Sequence, residues 1–237
     1  MRTAVQQALV QRTPIDSTPP VSAHSVGVHA RQMGVALSAS QCEQMEHFVA
    51  LLSRWNRIYN LTAITHAEEI LSHHLLDSLS LVPELPAAPP LRVLDAGSGA
   101  GLPGIPLALA LPGHHFTLVD AAAKKCAFMT QVQLELGLSN VRVVQGRIEE
   151  LHDPRFDLAQ FDVIVSRALG SLAAIVSLSD HLLSEGGRWI AMKGQRPEEE
   201  LLRLPPGVSA VRVVSIHIPL LDEARHLVVM QPLAPSH

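Results

Sequence analysis

At 237 residues and 47% hydrophobic content, the chain holds enough apolar material for one full α/β core with a modest appendage. Its formal net charge of −4 repels RNA as a whole, so a nucleic-acid partner would need a local basic surface, and no apolar run is long enough to span a membrane. Two distant cysteines, Cys42 and Cys126, offer no disulfide framework and imply a reducing, cytoplasmic setting, while thirteen scattered histidines lack metal-ligand spacing, so no metal is expected.

Residues 1–37 are rich in Ser, Pro, Thr and Gln without sustained periodicity and read as a flexible extension. Two helices follow. Ser40 with Glu43, and Thr65 with Glu68, have the spacing of capping boxes, in which a hydroxyl and a carboxylate satisfy unpaired backbone donors. Met45, Phe48, Val49, Leu52, Trp55 and Ile58 recur at helical spacing and predict one buried stripe. The second helix is predicted from about His66 to Val82, with Ile70, Leu71, Leu75 and Leu79 on one side and Pro83 ending it.

After a PELPAAPP linker the pattern alternates, predicting strands at about 91–96, 115–120, 140–145, 161–166, 187–193, 208–217 and 226–232, with helices between the first five. Repeated strand–helix units imply a parallel sheet covered on both faces, with ligands at the carboxyl ends of the strands. The last two strands, joined by the short LLDEAR turn, must pair antiparallel.

The first strand runs into the stretch LRVLDAGSGAGLPGIPLALAL, residues 91–111. Leu91, Val93 and Leu94 suit a buried strand, Gly97, Gly99 and Gly101 allow a tight turn against a ligand, and Leu102 to Leu111 predict an apolar helix with Pro103 and Pro106 in its first turn. Gly99, Gly101 and Gly104 also satisfy the GxGxxG spacing of dinucleotide binders. Asp95, two residues before Gly97, gives instead a DxGxGxG loop, which resembles that of Rossmann-like S-adenosylmethionine-dependent methyltransferases.

Other candidate residues fall at strand ends. Asp120 closes HFTLVD about 20 residues past the loop, where a carboxylate can accept hydrogen bonds from ribose hydroxyls or cap the next helix. Ile148 and Glu149 follow the third strand, where such folds hold an adenine, with Glu150 as the adjacent competitor. Arg167 ends the fourth strand and should meet a cofactor carboxylate, Glu149 or a substrate phosphate; Lys193 takes the corresponding place on the fifth. Arg54, Arg57, Lys124, Lys125, Arg147 and Arg196 could join these two in a local basic surface, and Trp55, Tyr59 or Trp189 could stack on a base.

RWNRIYNLTAI, HLLDS, DAGSGAGLPGIPLA, VD followed by Lys124 and Lys125, SRA and MKG occur in consistent order over about residues 40–232. This combination resembles the ribosomal RNA small subunit methyltransferase G family, also called the glucose-inhibited division protein B family. The resemblance implies a class I methyltransferase fold, a seven-stranded mostly parallel sheet with an antiparallel last strand, plus amino-terminal helices. Composition and the element pattern divide the chain into a 1–37 extension, on which the resemblance is silent, a 38–86 helical segment and an 87–237 methyltransferase domain. The resemblance also implies S-adenosyl-L-methionine as cofactor, held by Gly97, Leu102, Ile148, Glu149 and Arg167, to which the strand-end reading adds Asp120, and methylation of guanine N7 in small-subunit ribosomal RNA. One departure is Ala121, where the family often has serine after the aspartate.

Guanine N7 carries a lone pair and no proton, so alignment suffices and no general base is expected; accordingly no catalytic residue is assigned. The partner would be small-subunit ribosomal RNA or the assembled subunit, and a monomer is the expected state. A methyltransferase acting on a small molecule or protein shares every cofactor residue and remains the alternative, followed by a nucleotide-sensing module without turnover. An NAD-dependent oxidoreductase ranks last, because no proton-transfer residue is evident beside the loop.

Overall fold

A computed structural model describes residues 21–233. The chain begins there with α1 (Ala23–Gln32), capped by a box in which Ser22 and Ser25 exchange side-chain and backbone hydrogen bonds, and buries Val26 and Ala30. The expected flexible extension therefore does not hold over 21–37: composition reads the segment as unstructured, but tertiary burial of one small-residue face orders it. The remainder of that expectation, residues 1–20, lies outside the described residues.

The long helix α2 (Ala39–Tyr59) starts two residues before the expected point, because Gln41 rather than Glu43 answers the cap: Ser38 and Gln41 form the box. The Gln41 amide also donates to the carbonyls of Leu109 and Ala110, so one side chain ties α2 to a distant helix end. Met45, Phe48, Val49 and Leu52 form the expected buried stripe, but Ile58 is 71% exposed. Asn56 takes the inner position on the last turn, bonding the backbone of Thr62 in both directions and folding the chain back beneath the helix.

The next helical stretch is not a plain α-helix. α3 (Ala67–Glu69) and α4 (Asp77–Leu79) flank seven residues of π-helix, Ile70–Leu76. Its start has no side-chain cap, so Thr65 and Glu68 do not form the expected box. Ile70, Leu71, Leu75 and Leu79 are buried as the pattern requires.

Seven strands follow: β1 (Arg92–Ala96), β2 (His115–Asp120), β3 (Val141–Gln145), β4 (Phe161–Ser166), β5 (Leu183–Lys193), β6 (Val208–Ile216) and β7 (Arg225–Pro232). They lie in the order β3-β2-β1-β4-β5-β7-β6, and β7 runs antiparallel to both neighbours while the β3-to-β5 ladder is parallel. Helices α5 (Gly104–Ala110), α6 (Ala123–Glu135) and α7 (Leu172–Ser179) supply crossovers, and α8 (Glu198–Leu201) follows β5. The expected helix between β3 and β4 is replaced by two short 3₁₀ turns, Ile148–Glu150 and Pro154–Phe156, the second stopped by Asp157 in the left-handed region at φ 46°.

Alternation along the strands divides the core between two faces. Val93, Phe116, Leu118 and Val163 pack into the cluster that contains Phe48, Leu75 and Phe128; Leu94, Val119, Ile164 and Trp189 pack with α7 on the other side. The amino-terminal helices thus share a core with the sheet and form one of its covering layers, so residues 38–86 do not build a core of their own. No helix among the described residues is long and apolar enough to cross a membrane.

Phe48 reports on that shared layer, being 1% exposed with its ring centroid 6.3 Å from that of Phe128 on α6. Phe48→Ala should cost about 3–5 kcal/mol in urea unfolding while preserving a single transition. Loss of the helical layer alone, with the sheet still folded, would contradict the shared core.

Candidate active site

The turn from β1 into α5 is built by a buried carboxylate. Asp95, wholly buried at the carboxyl end of β1, accepts a 2.8 Å hydrogen bond from the Gly104 amide at the start of α5. A Cβ at Gly104 would lie 2.7 Å from that carboxylate oxygen and 2.8 Å from Leu118, so only glycine lets helix and strand approach this closely. Gly97 turns the chain out of β1 at φ 75°. Burial pushes Asp95 up to about 7, against the pull of the Gly104 amide and of Arg167.

Asp120 fixes the opposite wall. One oxygen accepts from the Gly99 amide at 2.9 Å, the other from Ala122 at 2.9 Å, and Lys125 Nζ stands 3.4 Å away. The helix-capping and loop-binding roles are therefore combined: Oδ2 is occupied by Gly99 and Lys125, and Oδ1 keeps a second lone pair for a ligand hydroxyl. Ile148 is buried with its face on the same space, and Glu149 is half-exposed, paired with Arg147 at 3.7 Å.

Arg167 leaves the end of β4 and is mostly buried. Its Nη1 meets the His73 carbonyl at 3.2 Å, His74 Nδ1 at 3.4 Å and Asp77 Oδ2 at 3.7 Å. Of the three alternatives for Arg167, the one within the protein, Glu149, is not met; the protein partner comes from the helical layer instead. Asp77 also lies 3.4 Å from Arg225 Nε, and burial raises its carboxyl while the two arginines lower it. Burial, with Arg167 adding to it, lowers His74 to about 4, so the ring is neutral at pH 7; since a guanidinium cannot accept, Nδ1 accepts and Nε2–H donates to Thr62 Oγ1 at 2.8 Å.

A cavity of about 510 Å³ opens between these walls, lined by all six residues singled out in the sequence: Gly97, Leu102, Asp120, Ile148, Glu149 and Arg167. Leu61 and Thr62 from the helical layer also line it, a contribution the strand-end logic does not reach. Trp189 is not in it: the indole is 2% exposed and donates to Ser179 Oγ at 3.1 Å, so it is core and cannot stack on a base. Trp55 packs between Tyr59 and Phe128, with centroids 5.1 and 5.6 Å away.

The basic residues expected around the site are largely engaged. Arg54 pairs with Glu135, Lys193 with Glu200 and the Gly170 carbonyl, Arg196 with Glu198, and Lys124 donates to the Tyr59 carbonyl. Arg57 lines a separate hollow with Asn60 and Thr65. No cluster of three or more potential metal ligands occurs among the described residues.

A sheet with a reversed last strand, a glycine turn after β1 and an acid closing β2 define a Rossmann-like class I methyltransferase. The fold is similar to that of TrmN from Thermus thermophilus (TM-score 0.54, 22% identity, 69% of this chain and 53% of that one). It also matches Aeropyrum pernix fibrillarin with natively bound S-adenosyl-L-methionine (TM-score 0.51, 17% identity, 66% and 73% of the chains). Residues 41–228 match the family model described as rRNA small subunit methyltransferase G. Proteins named ribosomal RNA small subunit methyltransferase G from Burkholderia pseudomallei (strain 1106a) and Burkholderia mallei (strain NCTC 10229) are each 47% identical over 219 residues. These alignments cover 92% of this chain and 94% and 95% of the two relatives. The chain belongs to the rRNA small subunit methyltransferase G family.

Asp95 makes a pH test possible. Between 3.8 and about 7 the folded state holds a proton that the unfolded chain has released, so this group subtracts from stability as pH rises through that window. The limiting slope is about 1.4 kcal/mol per pH unit. Asp95→Asn keeps an oxygen for the Gly104 amide and should flatten that part of the stability curve in urea titrations. An unchanged slope would mean that Asp95 is already ionised in the native protein.

Proposed function

We propose that the protein transfers a methyl group from S-adenosyl-L-methionine to N7 of a guanine in small-subunit ribosomal RNA. The observation that carries this reading is the convergence of Gly97, Leu102, Asp120, Ile148, Glu149 and Arg167 on one cavity in a chain of this family. The residues fit the cofactor: the backbone at Gly97 and Leu102 faces an amino-acid moiety, Asp120 Oδ1 has a lone pair for a ribose hydroxyl, and Ile148 offers an apolar face to an adenine, with the Glu149 backbone beside it. Arg167, which lines the wall with Lys125 and Arg147 but is the most buried of the three cations, at the end of β4, answers a carboxylate. When bound, the cofactor supplies an electrophilic methyl on a sulfonium.

The protein's own part is alignment. Guanine N7 is unprotonated at neutral pH, so a residue that removes a proton has no task, and none of the cavity's side chains forms a nucleophile–base pair. Asp120 and Asp95 hold the loop rigid through Gly99 and Gly104, which fixes where the donor sits. N7 is closed to side chains in the deep groove of an A-form duplex, so the guanine enters from a loop or is extruded. The protein works as a cytoplasmic monomer on ribosomal RNA or the small subunit.

Labelled S-adenosylmethionine incubated with the protein and small subunits from cells lacking the modification should label one guanine at N7; absence of transfer to guanine N7 would overturn the reading. Asp120→Ala should weaken cofactor binding about 10–100-fold by calorimetry, the cost of hydrogen bonds lost from a charged acceptor. Undiminished binding would move the ribose elsewhere.

A further inference from the structure

A second cavity, of about 370 Å³, adjoins the first and shares Arg167 with it. Its walls come from both layers: His73, His74 and Asp77 from the π-helical turn and its exit, Met192, Lys193 and Gly194 from the end of β5, and Arg225 from the start of β7. The volume is in the range that holds one small ligand. π-Helical turns inside α-helices are frequent at functional sites, and this one presents the two consecutive histidines and Asp77 to a single space.

The polar groups of that cavity are engaged in a way that leaves capacity. Asp77 lies 3.7 Å from Arg167 and 3.4 Å from Arg225, longer than the ~2.7–2.9 Å of a direct charge-assisted hydrogen bond, and a carboxylate has about four acceptor sites. The three contacts of Arg167 with the helical layer are all made through Nη1, leaving Nη2 and Nε. Moving away from the cofactor cavity, the wall offers a donor, Arg167, and then an acceptor, Asp77. Guanine offers the complement in the same order: N7 toward the methyl donor, then the O6 acceptor, then the N1–H and N2–H donors. Adenine would set its exocyclic N–H donors against Arg167 and its N1 acceptor against Asp77.

We propose that this second cavity seats the guanine to be methylated, with the Asp77 carboxylate accepting from N1–H and N2–H and Arg167 donating to O6 through one of Nη2 and Nε, the other being left for the cofactor carboxylate. Asp77 is then a specificity-determining residue as well as the partner of Arg167. The proposal rests on the reading of the protein as a guanine-N7 methyltransferase.

The test uses the full-length protein saturated with S-adenosylhomocysteine and ligand-observed NMR with guanosine, inosine and adenosine monophosphates at up to about 10 mM. The three probes share ribose and phosphate, so an anion site alone would bind them equally. Guanosine monophosphate should be preferred over adenosine monophosphate by at least about tenfold, with inosine monophosphate between them because it lacks the N2 donor. Asp77→Asn should abolish the preference and lower kcat/KM on small subunits about 100-fold or more, with S-adenosylhomocysteine affinity within about threefold of wild type. A structural role alone would leave the base preference intact.

Equal binding of the three nucleotides, no detectable binding of guanosine monophosphate, or a preference unchanged in Asp77→Asn would each overturn the proposal while wild-type transfer to subunits continued. Should Asp77→Asn fail to fold, Asp77→Glu serves: it keeps the charge but shifts the acceptor, and must likewise lower the guanine preference. Absence of transfer by the wild-type protein would instead remove the guanine-N7 reading itself, and the proposal with it.

Discussion

Arg167 and Asp77 stand 90 residues apart in sequence and meet where the helical layer touches the carboxyl ends of the strands. Both are removed from most solvent, a position a lone charge would not tolerate, and breaking such a buried pair typically costs about 3–5 kcal/mol. The pair is one link in a continuous polar chain. Asn56 bonds the Thr62 backbone, Thr62 bonds His74, His74 and Asp77 meet Arg167, and Asp77 meets Arg225. That chain crosses from α2 to β7, and Arg167 within it lines both cavities. An apolar contact would hold the layers together equally well, but it could not present a donor and an acceptor to a ligand.

The loop after β1 depends on a different economy. Asp95 is buried with one oxygen bonded to Gly104, while its other oxygen, like the hydroxyl of Ser166, has no hydrogen-bond partner among the described residues. Holding the carboxyl near neutrality lowers the cost of that burial, since a neutral acid needs less solvation than an anion. What is gained is a short strand-to-helix turn that only Gly104 permits, and with it a fixed position for the loop wall opposite Asp120. The two acids at the ends of β1 and β2 therefore divide the work: Asp95 shapes the backbone from inside, and Asp120 holds it from the cavity side.

The sheet was legible because its signal is local. The bounds of β2 and β4 fall where apolar runs and breakers put them, and the reversed last strand follows from a turn too short for a crossover. The six cavity residues were legible for a related reason: strand-end and loop positions converge by topology, whatever the rest of the chain does. Partners across long separations were not. Nothing near Arg167 in sequence names Asp77, although an acid inside the apolar helical run HLLD was a usable signal of a buried cation elsewhere. Trp189 and Ile58 failed in opposite directions, one core and one exposed, because a periodic stripe does not say where a helix or strand runs past its neighbours. α1 was missed because two small buried side chains, Val26 and Ala30, carry too little pattern to stand out from a Ser- and Pro-rich background.

Charge shows how burial separates what can open from what cannot. The pairs Arg54–Glu135, Arg147–Glu149 and Arg196–Glu198 involve arginines that are each more than half exposed, where an ion pair is worth about 0–1 kcal/mol. A phosphate can displace those carboxylates at little cost, and the acids then return to water. Arg167 and Arg225 differ, for their shared partner Asp77 is only 7% exposed. A polyanion would therefore recruit these exposed arginines of the surface pairs by exchange, whereas the Arg167–Asp77 pair is held in place by its burial. This reconciles a formal charge of −4 with a polyanionic partner without a preformed basic surface. Each exchange also releases a carboxylate close to the bound phosphate, so the attraction per contact is smaller than at an unpaired cation.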